Sequence, residues 1–248
     1  MPAMELTEVA AWALILGGVA YAVMESRGLS AAAISAALVA LALVAGVGAY
    51  GWWRANKAVP TVTPEASTAA PVTFAPVTIA PERGVRIGAA DAPGTVTVYL
   101  DFHCPHCQVF EKQYGPTLNG LMDSGRIAVE YWPLGFLSPG SRSASNAFAC
   151  AAERDPRFAR SLHDAFFVSQ QPQWTDDQIL GLSRQLRPTL PDGYEACVVS
   201  KPHLEWVTRI HEVAKAGPAS QGTPTVYVNG TAFDLTKGTP DSLVEALR

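Results

Sequence analysis

The sequence predicts an α/β domain that carries a helical insertion and follows an N-terminal transmembrane segment. Three observations lead to this prediction. Short apolar runs alternate with helical runs in the domain, residues 141–217 show helical periodicity, and residues 1–57 are mostly Ala, Leu, Val, Gly and aromatic. The 248-residue chain therefore divides into a membrane segment (1–57), a linker (58–81) and one domain (82–248).

The N-terminal segment contains one uncharged run that is long enough to cross a bilayer. Residues 28–53 carry no charge, and a helix of that length, at about 1.5 Å per residue, crosses a hydrocarbon core of roughly 30 Å. We therefore expect a transmembrane span at about residues 29–53. The earlier run 9–24 is shorter, and it is compatible with a second span in a helical hairpin, an interfacial helix, or a protein start at Met24.

Residues 58–81 form a segment rich in Pro, Thr and Ala, with five prolines and Glu65 as its one charged residue. A segment of this composition buries little surface and favours extended polyproline II structure, so it predicts a semi-rigid spacer. The β-prone residues at 72–79 leave an ordered strand as the alternative for that part of the segment.

The domain 82–248 begins with a β-α-β pattern. Val85–Ile87 is a candidate edge strand, and Thr95–Phe102 is an apolar run typical of a buried strand. A helix is predicted to begin near Cys104, and the next strand is predicted at Ile127–Trp132. Because a helix connects the two longer strands, we expect them to be parallel.

A helical insertion at about 141–217 interrupts this framework. Its apolar residues recur at spacings of three and four in four segments, which are 143–153, 158–168, 178–186 and 204–215. The framework then resumes with a β-hairpin, since Asn229-Gly230 separates two short apolar runs. Thr239 and Pro240 are typical of the start of a last helix.

The sequence Cys104-Pro105-His106-Cys107 lies between a predicted strand and a predicted helix. The start of a helix offers free N–H groups and the positive end of its dipole, which lower the pKa of a thiol below its usual value of about 8.5. We therefore predict that Cys104 is the reactive thiol and that Cys107, one turn further, is its shielded disulfide partner. Pro105 suits the first turn, and His106 would add positive charge beside Cys104 when protonated.

A zinc site is the competing interpretation of these two cysteines. Structural zinc needs four ligands, and a CxxC pair is commonly completed by a second close pair. The remaining cysteines, Cys150 and Cys197, are 47 residues apart. His103 and His106 would form a strained site at the mouth of one helix. We therefore predict a redox dithiol with no metal and no cofactor.

Several motifs together resemble the DsbA-like branch of the thioredoxin fold over residues 84–248. They are Asp91-Ala92-Pro93 before the strand, Phe102, the CPHC motif, the helical insertion, and Gly222-Thr223-Pro224-Thr225 before a later strand. The resemblance implies a thioredoxin fold with a cis peptide bond before Pro224. It also implies that Thr223 and Pro224 pack against the active-site cysteines, where backbone groups of Thr223 would bind an extended substrate.

The resemblance further implies a thiol–disulfide oxidoreductase that acts as an oxidase and donates a Cys104–Cys107 disulfide to newly exported proteins. Its expected partners are these protein thiols and a quinone-linked membrane reoxidase of the DsbB or VKOR type. A disulfide reductase or isomerase and a non-enzymatic, metal-binding CxxC module remain the alternatives. The net charge of −4 and the absence of a basic block indicate no nucleic-acid partner.

Redox chemistry favours a location of the domain on the extracytoplasmic side of the cell membrane, where disulfides persist. The charges around the span, with Arg27 before it and Arg54 and Lys57 after it, weakly favour a cytoplasmic domain if only one span exists, whereas a helical hairpin would place the domain outside. In an oxidising compartment we expect Cys150 and Cys197 to form a structural disulfide, although two buried free thiols are also compatible with their apolar surroundings.

The position six residues before the first cysteine departs from the pattern of the family. Thioredoxins and the best-known DsbA proteins carry a buried acid there, whereas this chain has Val98. Proton transfer during thiol exchange would therefore use another group, with Asp101, Glu130 and water as the candidates. For Asp101 the default expectation is a solvated residue at the end of a strand.

Overall fold

The structure is a computed structural model that describes residues 72–171 and 173–248. The predicted membrane segment (1–57), with both of its candidate spans, and the first part of the linker (58–71) lie outside the described residues. Within the described residues, no helix combines the length and the apolar character needed to span a bilayer.

A five-stranded mixed sheet forms the centre of the domain, with the strand order β1-β3-β2-β4-β5. The strands are β1 Val85–Gly88, β2 Gly94–Leu100, β3 Ile127–Pro133, β4 Thr225–Val228 and β5 Thr231–Ala232. β2 and β3 are parallel, as predicted, and the other neighbouring pairs are antiparallel. β1 pairs with β3 alone and lies at one edge of the sheet, which is the position predicted for it.

Helices pack around this sheet and form the whole insertion. In the described part of the chain they are α1 Pro105–Asp123, α2 Pro139–Arg154, α3 Pro156–Val168, α4 Asp176–Leu186, α5 Tyr194–Ser200, α6 Leu204–Ala216 and α7 Pro240–Ala246. Helix α1 connects β2 to β3 and continues through Pro116. Helices α2 to α6 make up the insertion that the sequence predicts at about 141–217.

β2 is the central strand, and its position determines where the CPHC motif lies. Val96, Val98 and Leu100 are fully buried because β2 lies between β3 and β4. Val98 is aligned with Tyr131 of β3 and with Val226 of β4. The end of this strand therefore leads the chain from the middle of the core directly into the turn that carries the two cysteines.

The insertion is cross-linked by a disulfide between Cys150 of α2 and Cys197 of α5, the pairing that the sequence analysis expected. The buried side chain of Asn146 adds two contacts beside it. Its amide group donates to the carbonyl of Cys197, and its amide oxygen accepts from the backbone N–H of His203. These contacts hold α2 against α5 and against the residue that precedes α6.

The end of the predicted linker differs from expectation. Residues 72–80 form neither a helix nor a strand, yet they pack against the domain rather than extending from it. Phe74 is buried, and the guanidinium of Arg157 in α3 lies 4.2 Å from its ring centroid. The backbone N–H of Ala75 donates to the carbonyl of Gly88 over 2.8 Å. The packed domain therefore begins earlier than the predicted boundary at residue 82, because one aromatic side chain of the segment finds an apolar site.

Candidate active site

The CPHC motif forms the N-terminal end of α1. Cys104 is the N-cap residue, and Pro105 lies in the first turn, where its missing N–H is not needed. The backbone N–H of Cys104 donates to the carbonyl of Asp101 over 3.0 Å, which closes a tight turn between β2 and the helix. This turn places the sulfur of Cys104 at the free N–H groups of the helix start.

The Sγ atom of Cys104 accepts a hydrogen bond from the backbone N–H of Cys107 over 3.4 Å, which stabilises its thiolate form. In the protonated form the Cys104 thiol donates to the carbonyl oxygen of Thr223 over 3.5 Å. The hydrogen bond from the Cys107 thiol is the largest influence on the pKa of Cys104. Together with the backbone N–H groups of Cys107 and His106, it outweighs burial and lowers that pKa to about 5. Cys104 is therefore a thiolate at neutral pH.

Cys107 has the opposite properties. Its side chain is fully buried, and burial, followed by the neighbouring Cys104 sulfur, raises the pKa of the Cys107 thiol well above its usual range. Both cysteines carry free thiols, so the structure represents the reduced dithiol. The pair thus combines an outer sulfur that is a good leaving group with an inner sulfur that keeps its proton.

Pro105 and His106 separate the two cysteines and are both exposed to solvent. The backbone N–H of His106 helps to lower the pKa of Cys104. The electrostatic contribution that the sequence analysis assigned to a protonated His106 stays a prediction. These two residues therefore border the dithiol on its solvent side.

The loop before β4 reaches the dithiol from the other side. The peptide bond between Thr223 and Pro224 is cis, as the resemblance implies, and Gly222 adopts a positive φ of 107° that suits glycine. The hydroxyl of Thr225 donates to the carbonyl of Gly222 over 2.7 Å and holds the loop. The structure thereby brings Thr223 and Pro224, which the resemblance assigned to substrate binding, to the CPHC motif.

Asp101 corrects one expectation of the sequence analysis. Its side chain is fully buried rather than solvated. One carboxylate oxygen accepts from the backbone N–H of His103 over 2.8 Å, and the other accepts from those of Phe136 and Leu137 over 2.8 and 3.1 Å. A carboxylate that accepts three backbone hydrogen bonds is a structural anchor, which holds the loop after β3 against the active-site turn.

Two further residues of the site were not predicted. The Nδ1 atom of His103 lies 2.6 Å from the hydroxyl of Ser138, and burial lowers the pKa of His103 below its usual range. Gln170, just beyond α3, donates through its amide group to the carbonyls of Phe102 and Cys104 over 3.0 and 3.2 Å. Gln170 therefore fixes the active-site turn from the insertion, a role that no local sequence pattern indicates.

An apolar surface borders the dithiol. The side chains of Phe136 and Leu137 are 43% and 48% exposed, although Asp101 holds their backbone beside the active-site turn. Val109, two residues after Cys107 on α1, is 61% exposed. Exposed apolar side chains such as these are typical of a surface that binds other proteins.

The strand order, the helical insertion and the pair of thiols with opposite pKa shifts define a thioredoxin-fold dithiol protein of the DsbA-like kind. Residues 81–247 match the model of the protein family described as Thioredoxin. Because this match covers more than half of the chain, the protein belongs to that family. The thioredoxin fold predicted from the resemblance is therefore confirmed.

Several of the similar proteins are named for disulfide chemistry. The chain is 28% identical over 153 residues to disulfide bond formation protein D of Bacillus subtilis. The match covers 58% of this chain and 66% of that relative, which is slightly less than two thirds of its length. The reduced disulfide bond oxidoreductase DsbG of Mycobacterium tuberculosis matches at 27% identity with a TM-score of 0.59, over 68% of this chain and 88% of that one. Reduced DsbA of the same organism matches at 26% identity with a TM-score of 0.58, over 71% and 89% of the two chains.

Proposed function

We propose that the protein is a disulfide oxidase, a thiol–disulfide oxidoreductase that donates a Cys104–Cys107 disulfide to the thiols of exported proteins. The observation that carries this proposal is the difference between the two thiols. The pKa of Cys104 is lowered to about 5, whereas burial raises that of Cys107. A disulfide whose reduced form is stabilised in this way oxidises other thiols readily. Similarity to disulfide bond formation protein D and to DsbA supports the same direction.

The reaction begins when a substrate thiolate attacks the Cys104 sulfur of the oxidised protein. A new S–S bond joins the substrate to Cys104, the Cys104–Cys107 bond breaks, and Cys107 leaves as a thiolate that takes up a proton. A second substrate thiolate then attacks the substrate sulfur of this mixed disulfide and expels Cys104 as a stabilised thiolate. Two substrate thiols are thereby oxidised to one disulfide, and the protein disulfide takes up their two electrons.

The surroundings of Cys104 suit an extended and partly unfolded substrate. The backbone of Thr223 faces the Cys104 sulfur and offers a carbonyl that can pair with a substrate backbone N–H. The exposed side chains of Phe136, Leu137 and Val109 provide an apolar contact surface. Such a site recognises backbone and apolar character rather than one sequence, which suits an enzyme that acts on many newly exported chains.

Each reaction leaves the protein as a dithiol, so a disulfide oxidase needs an acceptor for two electrons. We assign this role to a quinone-linked membrane partner of the DsbB or VKOR type, on the basis of the resemblance. A tether at about residues 29–53 would raise the local concentration of each partner for the other. The Cys150–Cys197 disulfide supports a location on the extracytoplasmic side of the cell membrane, because disulfides persist in oxidising compartments.

The alternative functions fit the site less well. A reductase must release electrons readily, whereas a low pKa of Cys104 stabilises the reduced form and opposes that direction. A metal-binding CxxC module needs further ligands beside the two cysteines. In the described residues, neither of the two groups of three closely spaced potential ligands includes Cys104 or Cys107.

Equilibration with glutathione redox buffers tests the direction of electron flow. The fraction of oxidised Cys104–Cys107 is measured by alkylation and mass spectrometry at each glutathione ratio. We expect a potential closer to that of DsbA, about −120 mV, than to that of thioredoxin, about −270 mV. A thioredoxin-like potential would contradict the proposed oxidase.

Thiol trapping in intact cells tests the proposed location and the working redox state together. Cells are treated with an alkylating reagent that does not cross membranes, and the protein is then analysed before and after reduction. We expect Cys104 and Cys107 to be mostly oxidised, and to become accessible to the reagent once a membrane-impermeant reductant is added. Protection of both thiols until the cells are lysed would contradict the extracytoplasmic location.

A further inference from the structure

A cluster of three titratable side chains lies between α1 and α3, apart from the dithiol. Glu111 of α1 and His163 of α3 are buried, and Asp164 follows His163 on the same helix. The Oε1 atom of Glu111 lies 3.4 Å from Nε2 of His163, and the Oδ1 atom of Asp164 lies 3.2 Å from Nδ1 of the same ring. One potential ligand atom from each residue lies within 4.8 Å of the other two.

With a proton on Nδ1 alone, the imidazole of His163 presents a lone pair to Glu111. Because an ionised Asp164 carboxylate can only accept hydrogen bonds, Nδ1 of His163 is the nitrogen that donates to it. Nε2 then carries a lone pair and faces the Oε1 atom of Glu111. Neither of these two buried atoms has a hydrogen-bond partner in the described part of the chain. Two acceptors that face each other repel unless a cation lies between them.

In the described residues the cationic side chain of this cluster is His163, because Glu111 and Asp164 raise the pKa of its imidazole against the effect of burial; a protonated His163 would balance only one of the two carboxylates. Glu111 and Asp164 supply two carboxylates, and among residues 72–171 and 173–248 their one ion-pair partner is His163. The second oxygen of Asp164 accepts from the amide of Asn119 over 2.8 Å, which orients the carboxylate without neutralising it. Buried negative charge is costly without a counter-ion. A divalent cation would balance two carboxylates.

We propose that Glu111, His163 and Asp164 form a binding site for a divalent transition-metal ion of the Zn²⁺ class. Two ligands at about 2.1 Å from one zinc ion, at a tetrahedral angle, lie roughly 3.4 Å apart, and Oε1 of Glu111 is 3.4 Å from Nε2 of His163. An imidazole with carboxylates suits zinc and its neighbours, whereas calcium and magnesium prefer oxygen ligands alone. Asp164 orients the ring through Nδ1, as carboxylates do at metal-bound histidines.

The proposed site is accessible from solvent. A cleft of about 650 Å³ follows α1 and α3, and Glu111 and Asp164 form part of its wall together with Gln108 and Asn119. The side chain of Asp164 is 36% exposed, whereas Oε1 of Glu111 and Nε2 of His163 are buried, so an ion from the cleft would have to pass Asp164 to reach them. Water from the cleft would fill the coordination positions that the protein leaves open.

A proton is the competing occupant of the same position. Burial raises the pKa of Glu111 to about 7, against the effect of His163. The other titratable groups that face the cluster are Asp164 on α3, Lys112 beside the cleft, and Tyr131 on β3, whose ring centroid is 4.3 Å from that of His163. Metal ligands must lose their protons on binding, so zinc affinity should rise with increasing pH.

Zinc titration of the oxidised protein tests the proposal. Full-length protein in detergent, with the Cys104–Cys107 disulfide formed so that these thiols cannot bind metal, is titrated with ZnCl₂ by isothermal titration calorimetry at pH 8. We expect one ion per chain and a thermal unfolding temperature that rises with zinc concentration. Glu111→Gln and Asp164→Asn should each weaken zinc binding by about 10–100-fold. Glu111→Gln removes a ligand, and Asp164→Asn removes the carboxylate that orients the ring of His163.

Glu153→Gln is the matched control, since Oε2 of Glu153 lies 3.1 Å from Nε2 of His203 in a second His–carboxylate pair. This variant should bind zinc as the wild type does. Equal affinities in the wild type, Glu111→Gln and Glu153→Gln would overturn the proposal. The same conclusion would follow from a wild-type protein that binds no zinc. If circular dichroism shows that Glu111→Gln does not fold, Asp164→Asn decides by the same criterion.

Zinc binding at this cluster does not depend on the thiol chemistry, and a second variant separates zinc binding from disulfide exchange. A variant that combines Cys104→Ser with Cys107→Ser should lose disulfide exchange and keep the zinc affinity of the oxidised wild type. Loss of zinc binding in this variant would show that the metal had been held by the CPHC motif, and it would overturn the assignment to Glu111 and His163.

Discussion

The sulfur of Cys104 lies 3.5 Å from the carbonyl oxygen of Thr223, a residue 119 positions further along the chain. The first residue begins α1, and the second lies in the loop before β4. Under the proposed function, a substrate thiolate that attacks Cys104 would approach beside the backbone of Thr223. The contact itself joins the reactive sulfur to a backbone carbonyl with which it has no local sequence relationship.

The lowered pKa of Cys104 predicts a pH profile for thiol reactivity. Alkylation of the reduced protein by iodoacetamide should titrate with a pKa of about 5. Because the thiolate is the reactive form, the rate should be constant above that pH and fall about tenfold per pH unit below it. The measurement is the alkylation rate from pH 3 to 8, with mass spectrometry to identify the modified residue. A midpoint near about 8.5, the ordinary thiol value, or earlier modification of Cys107, would contradict the prediction.

Asp101 should matter for stability rather than for proton transfer. Asp101→Asn replaces two acceptor oxygens by one oxygen and an NH₂ group, so either the backbone N–H of His103 or those of Phe136 and Leu137 lose their partner. We expect a loss of about 2–4 kcal/mol in the free energy of unfolding, measured by urea denaturation. Glu130→Gln, which changes a half-buried carboxylate on β3, is the control and should change stability much less. A stable Asp101→Asn protein that is slow in thiol exchange would instead support a role in proton transfer.

The disulfide in the insertion should contribute to stability but not to the reaction. Replacing both Cys150 and Cys197 by Ala removes the cross-link between two residues that are 47 positions apart in the chain. In the chain-entropy account, this costs about 4 kcal/mol of unfolding free energy. Oxidation of a dithiol peptide by the folded fraction should remain unchanged, because Cys104 and Cys107 are retained. A loss of activity without a loss of stability would show that these cysteines take part in electron transfer.

Phe74 tests whether the segment before the first strand belongs to the folded domain. Phe74→Ala removes a buried ring from a site formed with Arg157, so we expect the free energy of unfolding to fall by about 3 kcal/mol. Thr78→Ala, at an exposed position of the same segment, is the control and should change stability by less than about 0.5 kcal/mol. Equal stabilities of the two variants would restore the predicted boundary at residue 82.

The parts of the site that the sequence predicted are those that depend on neighbouring residues. Cys104, Pro105, His106 and Cys107 are consecutive, and the strand before them and the helix after them have local periodicity, so the helix start and the reactive sulfur follow from the pattern. The placement of Thr223 was implied by resemblance rather than by any local pattern. Local reasoning also misjudged Asp101, because two of the three N–H groups that bind its carboxylate are 35 and 36 residues away.

By itself, the sequence determined the class of fold, the order of its elements and the chemistry of the dithiol, because apolar periodicity and helix capping act over a few residues. Only the tertiary structure decided which distant groups meet. Gln170 reaches the carbonyl of Cys104 across 66 positions, and Glu111 meets His163 because α1 packs against α3. Such contacts are set by the packing of whole helices against a sheet, so they cannot be predicted from the spacing of residues along the chain.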